Sequence, residues 1–123
     1  MKSITVDELK ERQDGGAPFF LLDVREPSEV ALKAIAGSVN IPMNQVERRI
    51  RELPKDREII VMCQAGGRSA RVTETLNGLG YKNAVNLTGG IAAWSRRIDP
   101  HAPAGGGSLS GLWKKFFGSK PAQ

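Results

Sequence analysis

Three strand-length runs in this chain are dominated by apolar residues: FFLLDV (19–24), EIIVM (58–62) and NAVNL (83–87). A strand with water on one face alternates apolar and polar side chains, so continuous runs belong to strands covered on both faces. The segments between them carry helical spacing. Ser69 to Leu79 gathers Val72, Leu76 and Leu79 on one side, and Gln45 to Leu53 does the same with Val46, Ile50 and Leu53. Helices alternating with buried strands predict an α/β fold: a central, mostly parallel sheet of about five short strands, with helices on both faces.

The punctuation agrees with that layering. Thr5-Val6-Asp7-Glu8 has capping-box spacing and opens a helix to about Gln13, which Asp14-Gly15-Gly16 ends. Pro27 is placed to start a helix through about Lys33. Gly37 separates that helix from a short strand, SVNI (38–41), and Gly89-Gly90 leads into a last helix, IAAWSRR. After Ile98 the texture changes. DPHAPAGGGSLSG (99–111) has the composition of a flexible linker, which sets the globular domain at 1–98. Within 109–119, Leu109, Leu112, Trp113, Phe116 and Phe117 would share one stripe of a helix, with Lys114 and Lys115 between them. Such a tail reads as an amphipathic helix for weak contact with an anionic membrane surface or a partner protein, as a segment folded back over its own domain, or as a mobile tail.

Charge and cysteine content narrow the function classes. Residues 1–100 hold 15 Lys/Arg and 13 Asp/Glu, a net +2, while the last 23 residues add +3 and no acid. The basic excess belongs mostly to the tail, so no nucleic-acid footprint is expected across the domain. The opening MKSITVDELKERQDGG lacks the apolar core of a secretion signal. A lone cysteine excludes an internal disulfide and fits a reducing compartment. The expected location is the cytoplasm, with the tail able to rest at the inner membrane surface.

That cysteine, Cys63, ends the EIIVM strand and begins Cys63-Gln64-Ala65-Gly66-Gly67-Arg68-Ser69, just before a helix. In parallel α/β sheets, ligands bind beyond the carboxyl ends of the strands, at helix N-termini. Gly66 and Gly67 let several backbone N–H groups of residues 64–69 turn inward, and unpaired amides there favour an anion, hence thiolate over thiol. Arg68 adds positive charge if its side chain turns in. The plainer alternative is a buried, inert cysteine closing a strand. His101, the only histidine, lies in the linker, so neither a histidine-activated cysteine nor a zinc site is expected, and no metal or other cofactor is implied. Activation by amides alone suits attack on a soft, polarised atom such as sulfur.

In four motifs the sequence resembles the single-domain rhodaneses, a family of sulfurtransferases: LLDVRE (21–26), AGSVNIP (36–42), VMCQAGGRSA (61–70) and LGYKNAVNLTGGIAAW (79–94). The resemblance runs from about Ile4 to Ile98. It implies the three-layer rhodanese fold. It also implies a cycle in which Cys63 takes the outer sulfur of a donor such as thiosulfate, becomes a persulfide, and hands the sulfur to cyanide, a thiol or a protein acceptor. Gln64, Ala65, Gly66, Gly67, Arg68 and Ser69 would hold the persulfide and donor, with Asp23 and Arg25 at the rim or in a structural ion pair. Two other readings stand beside it. A rhodanese-like module could bind partners without catalysis. Phosphatases and arsenate reductases of similar shape carry Cys-x5-Arg, but four residues separate Cys63 from Arg68, a tighter loop that fits phosphate poorly. Where many members have Gly-His-Ile, this chain has Lys33-Ala34-Ile35.

Overall fold

The computed structural model describes residues 1–103 and 105, and the aromatic, basic stretch at 109–119 lies outside them. The elements run β1 (Ser3–Ile4), α1 (Val6–Gly15), β2 (Phe19–Asp23), α2 (Pro27–Leu32), β3 (Val39–Asn40), β4 (Glu58–Met62), α3 (Gly67–Gly78), β5 (Ala84–Leu87) and α4 (Gly90–Arg97). Five strands pair in the order β1-β5-β4-β2-β3, every pair parallel. The α/β fold, its central sheet and its helices are those the apolar runs imply. No helix among the described residues is long and apolar enough to cross a membrane.

The pleat divides the core in two. On one face Ile60 and Met62 of β4 join Val85 and Leu87 of β5 under Leu9 of α1 and Ile91 and Trp94 of α4. On the other, Ile59, Val61 and Cys63 join Ala84 beneath Val72 and Leu76 of α3. Cys63 thus continues the period-2 alternation of β4 and belongs to the α3 face.

Local chemistry sets the helix ends. Thr5 Oγ1 accepts from the Glu8 N–H at 3.1 Å while Glu8 Oε1 accepts from the Thr5 N–H at 2.8 Å, the reciprocal cap its spacing implies. Three features depart from the sequence reading. The strand β1 escaped it, because two residues carry no periodicity. The helix expected over Gln45–Leu53 is instead a pair of 3-10 turns, Met43–Gln45 and Ile50–Glu52. Their hydrogen bonds run mostly three residues back, as in Gln45 to Pro42 and Leu53 to Ile50, and still bury Val46 and Leu53 on one side.

The third is the stretch after Ile98. Its described part lies on the domain rather than away from it: Ala102 is buried, the Ala34 N–H donates to Pro103 O at 2.7 Å, and the Gly105 N–H donates to Val30 O at 2.9 Å. Val30 O and the Ala34 N–H would bond each other if α2 continued, but Lys33 is extended and the strap takes both groups. Small residues made this segment look like linker, yet small residues are also what close approach demands. A Cβ on Gly105 would stand 2.5 Å from Ala34 Cβ.

Candidate active site

The strand β4 delivers Cys63 to the carboxyl edge of the sheet, where two helix N-termini meet it. At the start of α3, the N–H of its capping residue Gly66 points at Cys63 Sγ from 3.1 Å and the Ser69 N–H from 3.4 Å. Gly66 makes this possible with φ +113°, a left-handed conformation that side chains avoid. From α4, the N–H groups of Ile91 and Ala92 donate to the carbonyls of Cys63 and Gln64, each at 3.0 Å. One helix therefore faces the sulfur and the other holds the backbone that carries it.

Cys63 is 2 % exposed. Burial by itself pushes its thiol up, but hydrogen bonds from the Ser69 hydroxyl and N–H and from the Gly66 and Ala65 amides outweigh it, so the thiol ionises below its ordinary value. No histidine takes part. Gln64, Ala65 and Gly67 are exposed and form the uncharged lip of the loop.

The nearby charges are arranged in neutral pairs. The Arg68 guanidinium is engaged by a carboxylate, though its charge still reaches Cys63. It forms a two-pronged bridge to Glu29 of α2, Nη1–Oε1 2.7 Å and Nη2–Oε2 2.9 Å, and this bond holds the Glu29 carboxyl down to about 2. Asp23 and Arg25 are 0 % and 1 % exposed; Arg25 Nη2 donates to Asp23 Oδ2 at 2.8 Å and to Lys33 O at 2.7 Å. Neither offers a free head group to solvent. They tie the end of β2 to the end of α2, and removing one partner of such a buried pair costs about 3–5 kcal/mol.

The sequence reading missed three contributors. Glu29 sits in PSEVAL with nothing in the sequence to mark it as the partner of Arg68. Gly90, which the sequence marks only as the lead into the last helix, packs against the loop: at φ +57°, a Cβ there would lie 2.3 Å from Cys63 O and 2.6 Å from Gln64 O. Asn86 is buried beneath Ser69, its amide oxygen 2.6 Å from Ser69 Oγ. Its signal was legible, since it is a polar residue in the middle of a strand buried on both faces.

The rhodanese-like domain family matches residues 5–97. A protein of Allochromatium vinosum named "Sulfurtransferase" is 34% identical over 96 residues, covering 78% of this chain and 90% of that one. A maize adenylyltransferase and sulfurtransferase is 33% identical over 107 residues, which are 81% of this chain but only 22% of the larger protein. Among solved structures, a rhodanese-like domain protein of Staphylococcus aureus aligns with TM-score 0.73 at 38% identity, covering 76% of this chain and 91% of that one.

Proposed function

The chain belongs to the rhodanese-like domain family, with named sulfurtransferases among its relatives, and from that premise we propose that it transfers a sulfane sulfur through a persulfide on Cys63. The observation that carries this reading is the pair of amides at the start of α3, from its capping residue Gly66 and from Ser69, aimed at Cys63 Sγ. A buried sulfur met by several donors and no base is equipped to hold negative charge and poorly equipped to give a proton to a leaving amine.

In the first half-reaction the Cys63 thiolate attacks the outer sulfur of a donor such as thiosulfate. A sulfur–sulfur bond forms to Cys63, the donor's own sulfur–sulfur bond breaks, and sulfite leaves with the electron pair. In the second, a nucleophile such as cyanide or a thiolate takes the outer sulfur and the Cys63 thiolate returns. The Gly66, Ser69 and Ala65 N–H groups serve both anionic states, so neither step needs a proton relay. The lip formed by Gln64 and Ala65 is uncharged and Arg68 is engaged by Glu29, so the pull on a dianionic donor is weak and turnover with thiosulfate should be modest.

Protein treated with thiosulfate should gain one sulfur atom on Cys63 by mass spectrometry and form thiocyanate when cyanide follows. Cys63→Ser should do neither. Thiocyanate formation surviving in Cys63→Ser would remove Cys63 as the carrier, and the absence of both adduct and turnover in wild type would favour a module that only binds partners.

A further inference from the structure

Three neighbours surround the single proton of the Ser69 hydroxyl. Cys63 Sγ lies 3.4 Å away, Gly66 O 3.2 Å and the Asn86 amide 2.6 Å. In the thiol form these groups make a chain: Cys63 S–H donates to Ser69 Oγ, and Ser69 O–H donates to Asn86 Oδ1. A thiolate has nothing to donate and needs donors instead. Ser69 can turn its proton to the sulfur only if its shortest bond changes direction. Gly66 O is always an acceptor. The Asn86 amide is the one partner that can reverse, because a half-turn about its terminal bond puts a donor, Nδ2, where the acceptor stood.

That half-turn is free of competing bonds. Asn86 is 7 % exposed, and its side chain makes no other hydrogen bond among the described residues. Its backbone is fixed in the sheet by the Asn86 N–H bond to Lys2 O at 2.9 Å. The pleat puts Asn86 and Ala84 on the α3 face, opposite to Val85 and Leu87, which is why a strand residue reaches a helix hydroxyl.

We propose that Asn86 is a positioning residue for Cys63: its reversible amide directs the Ser69 hydroxyl away from the thiol and towards the thiolate. The departing thiol proton goes to solvent, and Ser69 keeps its own, so nothing is transferred through Asn86. The charged groups around the site stand in two pairs, Arg68 with Glu29 from the helices and Asp23 at the end of β2 with Arg25 just beyond it, and among the described residues neither pair is hydrogen-bonded to the side chain of Ser69 or Asn86. This inference rests on the Cys63 thiolate being the reacting species in the sulfur-transfer reading.

The test is the pH dependence of alkylation by iodoacetamide, which reads the thiolate of the chain's one cysteine without any sulfur donor. A wild type that alkylates normally yet moves no sulfur would therefore sink the proposed function and leave this test intact. Asn86→Leu is nearly isosteric. It leaves the thiol form a second acceptor for the Ser69 proton, Gly66 O, but leaves the thiolate form no donor to Ser69 Oγ. The alkylation midpoint should therefore move up by about one pH unit, the scale of one hydrogen bond to a charged group. Asn86→Val, a residue at home in a central strand, serves equally if the leucine variant folds poorly by circular dichroism. On a Ser69→Ala background the same change should move the midpoint no further, because Asn86 acts only through Ser69. A folded Asn86 variant with the wild-type profile would overturn the proposal, as would shifts that add in the double variant.

Discussion

Gly90 holds the site together by lacking one atom. With φ +57° and the Cys63 carbonyl 2.3 Å from where a Cβ would stand, Gly90→Ala must either unwind the start of α4 or push the cysteine backbone outward. Both break the bonds from the Ile91 and Ala92 amides to the loop. We expect a loss of about 2–4 kcal/mol in urea unfolding, from backbone strain and overpacking together. Sulfur loading of Cys63 should fall at least about 100-fold, since a displacement of an ångström is enough for that. Near-normal loading would mean the loop does not depend on this close approach. Gly89 is also left-handed, at φ +83°, but a Cβ there would meet Ala93 Cβ within its own helix, so Gly89→Ala should disturb the helix more than the cysteine.

At the scale of elements, the short helix α2 is an anchor for the Cys63 loop. Its first turn grips Arg68 through Glu29, and its end is closed by Arg25 and by the strap through Pro103 and Gly105. The Glu29 carboxyl is held near 2, chiefly by the Arg68 hydrogen bond. A folded-state value below the unfolded one means the bridge stabilises fully above the ordinary carboxylate range, and that this contribution is lost as pH falls through about 2. Both partners are about a third exposed, so screening reduces the effect to about 1 kcal/mol. Glu29→Gln should be less stable than wild type by about that amount at neutral pH, and the gap should close in strong acid. Gln keeps an oxygen for the Glu26 N–H, so the helix start survives. The same variant frees Arg68, and kcat/KM for thiosulfate should rise roughly threefold to tenfold at low ionic strength. A drop would show that Arg68 serves the loop only while Glu29 holds it.

For the molecule as a whole, the domain does not stop at α4. A chain ending after Gly105 keeps two backbone hydrogen bonds and the burial of Ala102 that a chain ending at Ile98 loses. Each bond contributes about 1 kcal/mol and an unpaired buried carbonyl costs more, so the shorter chain should unfold about 2 kcal/mol more easily in urea. Equal midpoints would show that water replaces the strap at no cost. The sequence by itself determined the layered α/β fold, the three central strands, the Thr5–Glu8 cap and the place of Cys63 at the end of β4, because each is written in residues adjacent along the chain. It could not reveal β1, whose two residues form a strand only because β5 is beside them. Nor could it reveal the 3-10 turns, because an apolar spacing of 4 and 3 serves a 3-10 path as well as an α-helix. The amides at the sulfur come from its own loop, but the side-chain partners of Arg68 and Ser69 were decided by tertiary structure. Glu29 is 39 residues from Arg68 and Asn86 is 17 from Ser69, and only parallel strands, which bring the starts of successive helices to one edge of the sheet, make them neighbours.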